Sequence, residues 1–220
     1  MIDEIALTKV LTEIGYSRLK RHVYRANWST PDVEHLVYFS LYGAPKDFLT
    51  ADFGLKNMQA EIFAIREITK YGGEVYQGLQ YDEQIDTFMR FSLGIFASWG
   101  LRESIRVSAM TGAELAKKIR GDMDEKLFPI IRNVRTLNDL LSVLLLDVEP
   151  FPWVRCNGAI RAGEVVDLAR RLGMNPSEIR TLLKPFSRWI RVNLAKAPDP
   201  DPDMYVERLI HDSSGNGSAC

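Results

Sequence analysis

Three histidines, two cysteines and 29 carboxylates are the groups from which this 220-residue chain could build a metal site or an acid–base pair. Cys156 and Cys220 make no C-x-x-C pair. No glycine-rich phosphate loop, G-x-S-x-G elbow or paired-histidine zinc helix occurs in the chain. His22 and His35 fall on neighbouring predicted strands. The expected register puts His22 near Phe39 and His35 near Ala26, so the rings are not opposed and read as surface or sheet-edge histidines. Asp52, Glu61 and Glu67 are candidate acids, but acid–base work by paired carboxylates needs a defined separation. Asp52 alternates with apolar neighbours, as a solvent-side strand residue does. No catalytic residue, metal ligand or cofactor is therefore expected, and an enzyme of unrecognised type is the last of three functional readings.

Charge distribution says more. Residues 155–196 hold nine Lys/Arg against three Asp/Glu, although the whole chain has a net charge of −1. The flanking segments, 1–154 and 197–220, are both net acidic. A basic block between acidic ones suits an acidic partner. Inside it lies "VVDLARRLGMNPSEIRTLL", Val165 to Leu183. Val165, Leu168, Ala169 and Leu172 mark one buried stripe, and Ile179 and Leu182 mark a second. Gly173 supplies the turn, Asn175 a cap, and Pro176 a favoured first-turn residue. Small Ala169 sits where two steeply crossed helices must approach.

Over residues 165–184 this pattern resembles the helix-turn-helix superfamily. The resemblance implies a recognition helix whose outward residues are Asn175, Ser177, Glu178, Arg180, Thr181 and Lys184. It also implies phosphate contacts by Arg170, Arg171, Arg188 and Arg191, which would set affinity without reading sequence. Tight helix–glycine–helix turns serve equally in purely structural bundles. Pro185 stops the second helix after little more than two turns. DNA binding by residues 165–191 is therefore the second reading, and structural packing or a partner-facing basic surface the first.

The elements that must position these residues are legible from periodicity. A helix is expected over Asp3–Ile14, ended by Gly15. "HVYRANW", "EHLVYFSLYG" and "FLTADFGL" are rich in Val, Tyr, Phe and Trp and are separated by turn residues, which predicts an antiparallel meander. Leu49, Ala51 and Phe53 should face one side, Thr50 and Asp52 the other. Asn57 should cap a helix over Met58–Tyr71 buried along Met58, Ile62, Ile65 and Ile68. A fourth strand is expected within Thr87–Phe96. From Thr111 the chain reads as helical, opened by the capping box "TGAE", kinked at Pro129 and continued by "TLND" and "LLSVLLLDV". Trp28, at a strand end, and Tyr42 are candidates for a partner patch.

The "GYSRLKRHVYR" opening, the "FLTADFGL" strand and the "KLFPIIRNVRTLNDLL" stretch together resemble a bacterial family of small α+β proteins, a domain of unknown function, over residues 1–147. That resemblance implies the fold and no site. Accessory or immunity-type roles are known for proteins of this build and enter only as analogy. The expected class is α+β: an antiparallel sheet of about four strands packed by helices, then a helical C-terminal region. Residues 1–110 would form the sheet domain and 111–196 the helical region. Residues 197–220 would form an acidic, Pro-rich and Ser/Gly tail. The acidic, amphipathic start lacks a basic n-region, and the longest apolar run is only "VLLL". A signal peptide or membrane span is therefore not expected, and a cytoplasmic protein is. The leading functional expectation is a non-enzymatic protein acting through protein–protein contacts, with nucleic acid as the alternative partner.

Overall fold

The computed structural model describes residues 4–43, 47–72, 87, 89–99, 104–146, 154–155, 157–195, 197 and 201–211. The expected connector 149–153, both cysteines and the Ser/Gly tail lie outside them. The class is α+β. The chain divides into two compact units, and it passes between them more than once: 1–56, 89–136 and 152–155 form one, and 57–88, 137–151 and 156–220 the other.

The first unit is a sheet with helices. Helix α1 (Glu4–Glu13) ends at Gly15, whose φ of 92° is the left-handed turn that residue makes cheap. Strands β1 (Tyr16–Lys20), β2 (Val23–Ala26), β3 (Glu34–Tyr42) and β4 (Phe48–Lys56) follow as an antiparallel meander. The β3–β4 pairing runs from Glu34 opposite Lys56 to Tyr42 opposite Phe48. Val23 lies opposite Tyr38, and the Phe39 amide donates to the His22 carbonyl, so the register is the expected one. Leu49, Ala51 and Phe53 are buried while Thr50 and Asp52 are half-buried, as strand alternation requires.

The sheet has more than the four expected strands. β1 precedes the three strands expected of the meander, and β5 (Arg90–Ser92), β6 (Ile105–Arg106) and β7 (Val154–Arg155) add short pairings, β5 and β6 on β4 and β7 on β5. The expected strand within Thr87–Phe96 is only β5; at Leu93 the chain turns into a single helical turn, α3 (Leu93–Phe96). Gly94 sits in that turn.

Helix α4 (Gly112–Asp122) opens with the expected capping box, Thr111 and Glu114 exchanging bonds to each other's amides. It passes through a π turn (Met123–Leu127) into α5 (Phe128–Ile131). Pro129 has no N–H for the preceding turn and its ring crowds the carbonyl four residues back, so the helix widens there. Leu115, Ile119, Met123 and Leu127 are buried at successive steps of four.

The second unit is helical: α2 (Met58–Gly72), α6 (Leu137–Leu145), α7 (Gly158–Arg171), α8 (Pro176–Leu183), α9 (Ser187–Asn193) and α10 (Pro202–His211). Helix α7 is its hub. Every residue from Gly158 to Ala169 except Asp167 is buried. A helix buried all round is the mark of a central element. Helix α2 turns an unexpected face inward. Ala60, Glu61, Phe63, Ala64, Glu67, Ile68 and Tyr71 are buried, whereas Met58 and Ile62 are 38% and 37% exposed. Against α7 the backbones come very close: a Cβ on Gly163 would lie 2.7 Å from the Ala64 Cβ and 2.8 Å from its Cα. Only glycine permits that approach. Among the described residues no helix is long and apolar enough to cross a membrane.

Candidate functional site

The segment that resembled a helix-turn-helix is two helices joined through Gly173, which has φ 80°. The Asn175 side chain accepts from the amides of Ser177 and Glu178, and the Glu178 carboxylate accepts from the Asn175 amide. This reciprocal cap, with Pro176 in the first turn, satisfies orphan donors of α8. Val165, Leu168, Ala169 and Ile179 are buried as expected. Leu172 is 37% exposed and Leu182 half-buried; Leu183 takes the inner position instead.

The basic residues of this segment divide into two groups. One group is turned inward or spent on neighbours. Arg170 donates to the Ile210 carbonyl and lies 5.9 Å over the Phe63 ring. Arg171 donates to Asn57 Oδ1 at 2.9 Å and stands 3.6 Å from Asp167, an ion-pair contact too long for a hydrogen bond. Arg180 grips Glu207 of α10 through two bonds, 2.6 and 2.8 Å. That grip holds the Glu207 carboxyl below its usual range. Thr181 donates to the Ser177 carbonyl one turn back.

The other group is Lys184, Arg188 and Arg191. All three are exposed, and none has an ion pair or side-chain hydrogen bond among the described residues. Helical backbone runs on from α8 through a 3₁₀ turn (Lys184–Phe186) into α9. Steps of four and three therefore put the three cations in one row. Leu183, Phe186, Ile190 and Leu194 are buried on the other flank.

The sequence reading missed a buried charged cluster in the same unit. Arg161 of α7 is 8% exposed, and its guanidinium donates to the carbonyls of Leu144 at 2.7 Å and Leu146 at 2.8 Å. These are orphan acceptors at the C-terminal end of α6, where a cation is also favoured by the helix dipole. One turn on, Glu164 is 3% exposed, and its Oε1 has no hydrogen-bond partner. Burial, then the neighbouring charge of Glu61, hold its carboxyl well above the ordinary range, against the pull of Arg161. Glu61 itself accepts from the Thr87 hydroxyl. Glu67, also named as a candidate acid, receives bonds from Arg66 and Lys70. An Arg–x–x–Glu step was visible in the sequence, but nothing there marked it as inward-facing.

The two aromatic candidates lie in the sheet unit. Trp28 is half-buried, edge-on to Tyr16 at 4.9 Å and to Phe128 at 5.7 Å. Tyr42 is half-buried and stacked on Phe48 at 5.5 Å. His35 is not a surface residue: it is 1% exposed, because its side of β3 faces the core, and its Nε2 bonds the Val134 carbonyl at 2.7 Å. Burial, more than the nearby Arg135, lowers its pKa.

Comparison with protein-family models, with curated proteins and with solved structures finds no match to this chain.

Proposed function

We propose that this is a cytosolic, non-enzymatic binding protein that docks an acidic protein surface on the row Lys184, Arg188 and Arg191, in an accessory or immunity-type role. The observation that carries this reading is the division of the basic residues. Arg161, Arg170, Arg171 and Arg180 are engaged inside their unit, while these three cations stand exposed in one row. Exposed Val192, at 60%, adds an apolar contact beside them. Opposed charge steers encounter and selects partners more than it adds raw affinity.

The test is a titration with a poly-glutamate peptide at low salt, wild type against the triple reversal K184E/R188E/R191E. Binding lost in the reversal and weakened by salt is the expected result. No binding by the wild type refutes the row as an acidic-partner surface.

A second reading, duplex DNA bound by residues 165–191, is favoured by the tight turn at Gly173 and the well-capped α8. It requires Arg180 to leave Glu207 before it can reach a base. Three phosphate contacts would give a slope of log K against log salt of about −3, so titration with a short duplex separates the two readings.

A further inference from the structure

Among the buried polar atoms of the sheet unit without a hydrogen-bond partner, three belong to rings of one cluster: Tyr16 Oη, Trp28 Nε1 and His35 Nδ1. Buried polar side-chain atoms are nearly always paired, so three orphans together demand a common cause. The sheet register explains their meeting. Tyr16 lies opposite Ala26, and the pairing of Arg25 with Leu36, carried one step further, sets Ala26 opposite His35. Residues in one cross-strand row share a face. Tyr16 and His35 therefore flank the small Ala26 on one side of the sheet. The Trp28 ring packs edge-on to both, with centroids 4.9 Å from Tyr16 and 6.1 Å from His35. Phe128 contacts Trp28, and Arg132 lies 5.2 Å over the Trp28 ring and 5.4 Å over that of Phe128.

The hydrogen-bonding sense of each atom follows from its surroundings. The Val134 carbonyl can only accept, so His35 Nε2 carries the proton. Burial keeps the imidazole neutral, which leaves Nδ1 as a bare acceptor. Trp28 Nε1 can only donate. Burial raises the Tyr16 phenol despite Arg132, so its hydroxyl is intact and able to do either.

We infer that Tyr16 Oη, Trp28 Nε1 and His35 Nδ1 form one internal binding site for a single water molecule, which accepts from the indole, donates to the imidazole and exchanges its third bond with the phenol. One oxygen making bonds of about 2.8 Å links atoms up to about 5–6 Å apart, and the Trp28 ring centroid lies 4.9 Å from that of Tyr16 and 6.1 Å from that of His35. Three polar partners is also the usual number for an internal water.

The sign of one substitution tests this. Tyr16→Phe removes a hydroxyl and little else. If the hydroxyl bonds a water, the variant melts lower by about 2–4 °C, the change that one lost hydrogen bond makes in a chain of this size. If it is a true orphan, the variant melts at the same temperature or higher. A second readout needs no variant to fold well. In the wild type, the Trp28 indole proton should show a rotating-frame cross-peak to a long-lived water, and His35 Nδ1 the nitrogen shift of a hydrogen-bonded acceptor. Absence of that cross-peak overturns the site, and where the two readouts disagree the cross-peak decides.

Discussion

In the sheet unit one cluster of buried polar atoms belongs to neutral rings, Tyr16, Trp28 and His35. In the helical unit the corresponding cluster is of ionisable groups, Arg161 with Glu164 and Glu61. The difference follows from the elements. A strand alternates, so a half-polar ring can face inward while its neighbours face out, and the backbone finds its own ladder partners. Helix α6 instead ends with carbonyls that no ladder satisfies, and Arg161 supplies their donors. The carboxyls of Glu164 on α7 and Glu61 on α2 lie close by, and burial with their mutual repulsion favours the protonated form of Glu164 despite Arg161. The sheet unit can lose one ring's polar atom and keep its logic; the helical unit cannot lose one member of its set.

Arg161→Ala should therefore have the largest effect. Its guanidinium holds the Leu144 and Leu146 carbonyls and lies beside Glu164 and Glu61, and removing a buried charge from such a set costs about 3–5 kcal/mol. Urea denaturation should show the loss, and amide exchange should place it first in α6 and α7. A loss below about 1 kcal/mol would mean that water already reaches the Leu144 and Leu146 carbonyls. The comparison between the units would then fail.

Gly163→Val comes next. Its Cβ would fall 2.7–2.8 Å from atoms of Ala64, one of them backbone, so α2 and α7 must part. Overpacking of this kind costs about 1–3 kcal/mol. Gly163→Ala should cost less than Gly163→Val, since alanine returns up to about 1 kcal/mol of helix propensity. If both are neutral, the close approach is not needed for the charged set to form.

These sites also show what the sequence could and could not reveal. The β2–β3 register and the inward set Leu49, Ala51 and Phe53 were legible, because a period of two assigns each residue a side. Helix α2 was legible as a helix, with Asn57 capping it through the Ala60 amide, but not in its orientation. The apolar stripe Met58, Ile62, Ile65, Ile68 marked a face, yet Met58 and Ile62 are on the outside. Glu61 and Glu67 are inside, and hydrophobic periodicity cannot anticipate a carboxylate buried near an arginine a hundred residues away. In the basic segment the two-helix turn was legible from Gly173, Asn175 and Pro176. Which arginines remain free was not, since that depends on Glu207, Asn57 and the Ile210 carbonyl.

Acidification should move the two units in opposite directions. Burial lowers the folded pKa of His35 below 6.5. Below that pH the unfolded chain takes up a proton that the fold refuses, so this site loses stability as pH falls through 6.5. The folded pKa of Glu164 lies above 4.5. Between 4.5 and that raised value the fold holds a proton that the unfolded chain has released, so this site gains stability as pH falls toward 4.5. Each slope is at most about 1.4 kcal/mol per pH unit. Residue-resolved exchange at pH 7, 6 and 5, corrected for intrinsic rates, should show β3 protection falling while α7 protection rises. Glu164→Gln should flatten only the second trend. A shared sign in both units would break the comparison.

The smallest effect sharpens the boundary between buried and exposed charge. Arg180 and Glu207 are bidentate, but their side chains are 39% and 41% exposed. Solvent and salt screen such pairs, so their contribution to stability is slight however good the geometry. Glu207→Gln should barely move the urea midpoint, and the small change should vanish in about 0.5 M salt, where the screening length is short. The same substitution bears on what the segment binds. It removes the charge that holds Arg180 and leaves the Lys184, Arg188 and Arg191 row untouched. If α8 reads DNA, freeing Arg180 should tighten duplex binding; if the exposed row is the docking surface, poly-glutamate affinity should stay nearly constant and duplex binding should not respond. A large loss of stability would mean that the pair is shielded from water, and Arg180 would then belong with Arg161 among the residues the helical unit cannot lose.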